Sequence, residues 1–117
     1  MAIKLLQEKG IITAIITGEN VELVRRRGCK INVDEVILGS KNKLEDVLEL
    51  CNKYKIELKE IAYIGDDIND LEVIKNVGLS FAVKDAINSV KEHADFVLNS
   101  KGGEGALREV VEIILKQ

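Results

Sequence analysis

Three carboxylates fall within five residues in the segment IGDDIND, at Asp66, Asp67 and Asp70. Oxygen ligands packed this closely suit a hard cation such as Mg²⁺. A plainer reading has Asp66 or Asp67 capping a helix and Asp70 facing water. A second group lies in IITGEN, Ile15 to Asn20, where Thr17 and Gly18 close an apolar run. A hydroxyl, a glycine and the free N–H groups of a helix start make an anion site. The alternative is Thr17 as an N-cap and Gly18 as a turn residue. Lys43, in GSKNKLEDV, opens the most strongly periodic helical segment. A cation there opposes the helix dipole, and a bound phosphate would give it a partner. Gly102, Gly103 and Gly105 surround Glu104 ahead of the last helical pattern. They read either as a mobile loop offering N–H groups to an anionic substrate or as a flexible turn. His93, the single histidine, reads as a surface residue.

These residues need a scaffold, and the chain alternates apolar runs with helical periods from end to end. That alternation predicts an α/β fold with a parallel sheet. Five runs read as strands buried on both faces: Ile11–Ile16, Glu35–Leu38, Ile61–Ile64, Leu79–Val83 and Asp95–Leu98. Leu44, Val47, Leu48 and Cys51 repeat at helical spacing, as do Leu107, Val110, Val111 and Ile114. Ile68, Leu71 and Ile74 give a shorter stripe, and Ala86, Ile87 and Val90 one shorter still. The expected architecture is a three-layer, doubly wound, five-stranded sheet in one domain spanning residues 1–117. In such sheets ligands sit beyond the carboxyl ends of the strands, where Thr17 and the three aspartates fall. A helical pattern through Ile3, Leu6 and Gln7 ends at Gly10. A helix with no strand ahead of it is what an α/β domain lacking its first strand would show.

Composition narrows the function. Forty of the 117 residues are Ile, Val or Leu, enough apolar surface to exclude a disordered chain. No apolar run approaches the roughly 20 residues that span a bilayer, and the first ten residues carry no signal-peptide pattern. With a net charge of −3 and four aromatic residues, the chain lacks the broad basic face and stacking platforms of a nucleic-acid binder. The run Arg25–Arg27 reads as a solvated helix end. Two cysteines, Cys29 and Cys51, make no disulfide framework and read as buried thiols of a cytoplasmic protein.

Taken in order, these segments resemble the haloacid dehalogenase superfamily of phosphohydrolases. More narrowly, the chain is similar to the cap-less 3-deoxy-D-manno-octulosonate 8-phosphate phosphatases and to the C-terminal domain of some acylneuraminate cytidylyltransferases. IITG at 15–18, NKL at 42–44 and IGDDIND at 64–70 resemble the second, third and fourth family motifs. NVGLSFAVKDA, HADFVL and GGEGALREV resemble the downstream pattern. The resemblance implies a Mg²⁺-dependent phosphomonoesterase core acting on a phosphorylated sugar acid, with homo-oligomers among its expected partners. Thr17, Gly18 and Lys43 would hold phosphate, Asp66 would ligate Mg²⁺ weakly with support from Asp67 and Asp70, and Gly102, Gly103 and Gly105 would line the substrate loop. Glu104 stands where relatives often carry arginine. The family's nucleophile lies in an Asp-x-Asp motif on a strand ahead of IITG, and this sequence contains no such motif. No catalytic residue is therefore assigned, and the chain alone is expected to be inactive. The alternative is a phosphate-binding or protein-interaction module on the same fold. In the family the missing strand lies centrally, between the strands carrying IITG and GDD. Either those strands close up, giving the order 2-1-3-4-5, or another chain supplies a strand.

Overall fold

A computed structural model of the protein describes residue 7 and residues 14–16, 34–37, 40–101 and 104–116. The elements alternate as the sequence pattern requires. Strands β1 (Ala14–Ile16) and β2 (Glu35–Ile37) precede helix α1 (Lys43–Tyr54). A 3₁₀ turn (Leu58–Glu60) leads into β3 (Ala62–Gly65), and a second one (Ile68–Asp70) runs directly into α2 (Leu71–Asn76). Then follow β4 (Leu79–Ala82), α3 (Asn88–His93), β5 (Phe96–Val97) and α4 (Glu104–Leu115). All the paired strands are parallel. Gln7 is helical. The expected Ile3–Gly10 helix otherwise lies outside the described residues, as do Arg25–Arg27 and Cys29.

Local chemistry explains the boundaries of α1. Asn42 accepts the Glu45 N–H at 3.1 Å, an N-cap that satisfies one of the helix's orphan donors. Lys55 ends the helix in the left-handed region, with φ of 56°. Val47 and Cys51 are buried, while Leu48 of the same stripe is 45% exposed. They meet Val73 of α2 in one apolar cluster, joined by Leu44, Ile61 and Tyr63. A larger cluster unites Ile74, Phe81, Val90, Leu98, Ala106 and Val110. Tyr63 and Ile64 of β3 pack against it, so β3 and α2 serve both halves of the core.

The sheet corrects two expectations. Among the described residues β1 pairs with β2 alone, and β3, β4 and β5 form a separate three-stranded sheet. The order 2-1-3-4-5, with β1 closed onto β3, is not found. Helix α1 is tied at both ends. Lys53 Nζ and Tyr54 Oη donate to the Glu35 carboxylate of β2 at 2.8 and 2.5 Å, and Lys43 Nζ reaches Asp70 beyond β3 at 2.9 Å. The second correction is burial on both faces, which fails at β3, where Ala62 is exposed and Tyr63 and Ile64 are half-buried, and at β5. Strand β5 lies at an edge, with Phe96 39% and Val97 51% exposed, because only β4 flanks it. The central β4 matches the expected burial, with Ser80, Phe81 and Ala82 all buried.

Two expected outcomes follow from these contacts. A methyl group at Gly78 would fall 1.9 Å from the Lys59 carbonyl oxygen. Gly78→Ala should therefore cost about 1–3 kcal/mol as overpacking, read as a lowered urea midpoint. At Glu35, the Lys53 ammonium and then the Tyr54 hydroxyl hold the carboxyl below its usual range. A depressed carboxylate stabilises the fold above its ordinary pKa of about 4.3 and loses that effect as pH falls through the folded value. The stability difference between wild type and Glu35→Gln should thus persist at neutral pH and shrink below about pH 4 in urea titrations.

Candidate functional site

The carboxyl ends of β3, β4 and β5 lie at one rim, because the three strands are parallel and in register. Asp66 and Asp67 follow β3 directly and are exposed. Asp70 turns back under them and is 2% exposed. Its carboxylate accepts four hydrogen bonds. Oδ1 takes the Tyr63 hydroxyl at 2.6 Å and the Lys43 ammonium at 2.9 Å. Oδ2 takes the backbone N–H groups of Asp66 at 2.9 Å and Asp67 at 3.2 Å. Asp67 reciprocates as the N-cap of the 3₁₀ turn, accepting the Ile68 N–H at 2.7 Å. Gly65 makes room for this turn, since a Cβ there would lie 2.7 Å from Asp70 Cβ and from Ile74 Cδ1.

The three aspartates thus divide their work. Asp66 is exposed at the strand end, Asp67 caps, and Asp70 is committed inside the fold. Among the described residues no three His, Cys, Asp or Glu side chains converge as a metal cage. The expectation that Asp70 faces water fails, because its oxygens have four donors within the protein. Lys43 sits at the first position of α1, its side chain 13% exposed. The partner that offsets its clash with the helix dipole is Asp70. Burial alone would raise the Asp70 pKa, but the Tyr63 hydroxyl, the Asp66 N–H and Lys43 together bring it below the usual range. Partial burial of its carboxyl and the Asp70 charge push Asp66 the other way, upward. Burial, and then Asp70, also raise the Tyr63 phenol. Tyr63 therefore stays a hydroxyl donor.

Backbone bonds tie the other rim loops to this turn. Val83 N–H donates to Gly65 O at 3.3 Å and Ile87 N–H to Asp66 O at 3.0 Å. Lys84 N–H donates to Ser100 O at 2.9 Å, while Glu109 of α4 accepts the N–H groups of Asn99 at 2.9 Å and Ser100 at 2.7 Å. Ser100 in turn lies against the exposed Gly105. A crevice of about 260 Å³ opens beside Lys43, lined by Ser40, Lys41, Leu44, Ile68, Asn69 and Glu72. Thr17, Gly18, Gly102 and Gly103 lie outside the described residues. His93 is exposed as expected, with Nδ1 2.8 Å from Ser89 O. Sequence reasoning missed Tyr63 and Glu109. Tyr63 carried one usable signal, a polar-tipped aromatic inside a strand that ends at an acidic cluster; Glu109 carried none.

The chain is similar to known proteins in sequence and fold. A model of haloacid dehalogenase-like hydrolases matches residues 28–110. The 3-deoxy-D-manno-octulosonate 8-phosphate phosphatase of Escherichia coli K12 is 40% identical over 105 residues, covering 90% of this chain and 56% of that protein. The corresponding crystal structure from Moraxella catarrhalis, in complex with magnesium ion, phosphate ion and KDO, superimposes with a TM-score of 0.93 at 37% identity. It is matched over 98% of this chain and 66% of its own. The cobalt-bound phosphatase of Haemophilus influenzae superimposes at 0.91 with 36% identity, over 98% of this chain and 67% of its own.

Asp70→Ala would leave the Lys43 ammonium and two backbone N–H groups without their acceptor. It should cost about 3–5 kcal/mol in urea denaturation, the scale of a broken buried ion pair. Asp67→Ala, which removes only a cap, should cost about 1 kcal/mol.

Proposed function

The chain belongs to the haloacid dehalogenase-like hydrolases, and on that premise we propose that it is the phosphate- and Mg²⁺-binding part of a sugar-acid phosphate phosphatase. The observation that carries this reading is Lys43. Its ammonium is fixed by Asp70 at 2.9 Å, on the same turn that presents Asp66. One donor of the ammonium is spent on Asp70, and the other two remain to meet a phosphoryl oxygen. Thr17 and Gly18 would add the hydroxyl and N–H groups of the second motif, and Gly102, Gly103 and Gly105 the substrate loop.

The donor set fits a magnesium ion modestly. Mg²⁺ is commonly held by one or two carboxylates together with phosphate and water, and Asp66 supplies one, with Asp67 beside it. Bound there, the ion would neutralise charge on the phosphoryl group. Asp70 then acts behind the site, as the group that orients Lys43 and the Asp66 turn. The residues of this chain position a phosphate and balance its charge. The attacking Asp-x-Asp of the family is not in this sequence, and loss of a covalent nucleophile can cost roughly a million-fold in turnover.

No helix among the described residues is long and apolar enough to cross a membrane; a cytoplasmic setting belongs to the proposal. The ligand is a phosphorylated sugar acid or phosphate itself, and a homo-oligomer is part of the same proposal.

The 117-residue chain should show no Mg²⁺-dependent hydrolysis of p-nitrophenyl phosphate above background. It should bind Mg²⁺ and inorganic phosphate more tightly together than singly, because each screens the other's charge. Amide signals of Gly18, Lys43 and Asp66 should move in that titration. Turnover abolished by Asp66→Ala would show that a surviving carboxylate performs the attack. Silent amide signals at saturating ligand would favour an interaction module without phosphate affinity.

A further inference from the structure

The proposed phosphate site depends on where Lys43 points, and Lys43 has four rotatable side-chain bonds with which to point elsewhere. Among the described residues its anchor is Asp70 Oδ1, an oxygen shared with the Tyr63 hydroxyl. We infer that Tyr63 is a positioning residue, which sets the orientation of the Asp70 carboxylate and through it aims the Lys43 ammonium at the phosphate-binding rim. This rests on the reading of the rim given above and names a residue that does not itself reach the ligand.

The geometry supports it. The terminal torsion of aspartate is broad and roughly two-fold, so packing alone does not fix a carboxylate plane. Here Oδ2 is held by two N–H groups of the Asp66–Asp67 turn, which tether one oxygen and leave rotation about that tether. The Tyr63 hydroxyl at 2.6 Å removes the remaining freedom from the side of β3. One lone pair of Oδ1 is then occupied, and the other lies where Lys43 Nζ meets it at 2.9 Å. Tyr63 is wedged between both apolar clusters, so its ring is a rigid mount for that hydroxyl. Gly65 admits the Asp70 side chain to the same place.

The test uses the 117-residue chain with Tyr63→Phe, Asp70→Asn and the double variant. Two readouts are taken: the Lys43 ammonium signal in ¹⁵N NMR at low temperature, and inorganic phosphate affinity in the presence of Mg²⁺. Tyr63→Phe should leave the amide spectrum unchanged away from Lys43 and residues 63–70. It should broaden the Lys43 signal and weaken phosphate binding about fivefold, the size of one net hydrogen bond. In the Asp70→Asn background, Tyr63→Phe should change neither readout further. An unmoved Lys43 signal in Tyr63→Phe overturns the inference, and so does an effect of equal size in the Asp70→Asn background. Absence of phosphate binding by the wild type would sink the functional reading alone, because the ligand-free Lys43 signal still decides the role of Tyr63. If Tyr63→Phe does not fold, 3-fluorotyrosine at Tyr63 in a Tyr54→Phe background keeps the ring and alters the hydroxyl's acidity. The Lys43 signal must then shift, and a fixed signal is a refutation.

Discussion

A carboxylate that is 2% exposed must find its solvation inside the protein. Asp70 finds it in four donors from three elements: Tyr63 of β3, the turn at Asp66 and Asp67, and Lys43 of α1. Much of the local architecture follows from that requirement. Gly65 must lack a side chain for Asp70 to fit beneath the strand end. The chain must enter a 3₁₀ turn so that two successive N–H groups converge on one oxygen. A lysine at the unfavourable end of α1 becomes tolerable because a buried anion faces it.

The same requirement couples elements that share little apolar contact. Helix α1 and β3 meet through Tyr63 within the Val47, Cys51 and Val73 cluster, and again through the charge pair at Asp70. At its other end α1 is tied to β2 by Lys53, Tyr54 and Glu35. That far pair is partly exposed and is screened by solvent, so the weight of the coupling rests on Asp70. The rim behaves as one connected surface. Gly65 and Asp66 carbonyls hold the β4–α3 loop, that loop holds Ser100, and Glu109 fixes Asn99 and Ser100 from α4. A displacement at any one loop is resisted by backbone bonds to its neighbour.

Three aspartates in five residues invite a metal reading. The structure distinguishes them by backbone position. Asp67 stands at the N-cap, where its oxygen meets the Ile68 N–H. Asp70 ends the 3₁₀ turn, and there its side chain lies under the strand. Asp66 stands at the strand terminus and is exposed.

The sequence by itself determined the order and kind of the elements. Short apolar runs and period-3.6 patterns of Ile, Val and Leu are local properties, and they marked all five strands and the helices at Lys43–Tyr54 and Glu104–Leu115. It also placed the aspartates at the end of a strand and Lys43 at the start of a helix, through segments that are themselves contiguous. The tertiary structure decided what contiguity cannot express. Among the described residues it separated β1 and β2 from β3–β5, left β5 at an exposed edge, and buried Asp70 beneath four donors instead of leaving it in water. Strand adjacency and the direction of a carboxylate depend on partners far apart in sequence. Lys43 and Asp70 are 27 residues apart, and no periodicity within either segment encodes the distance between them.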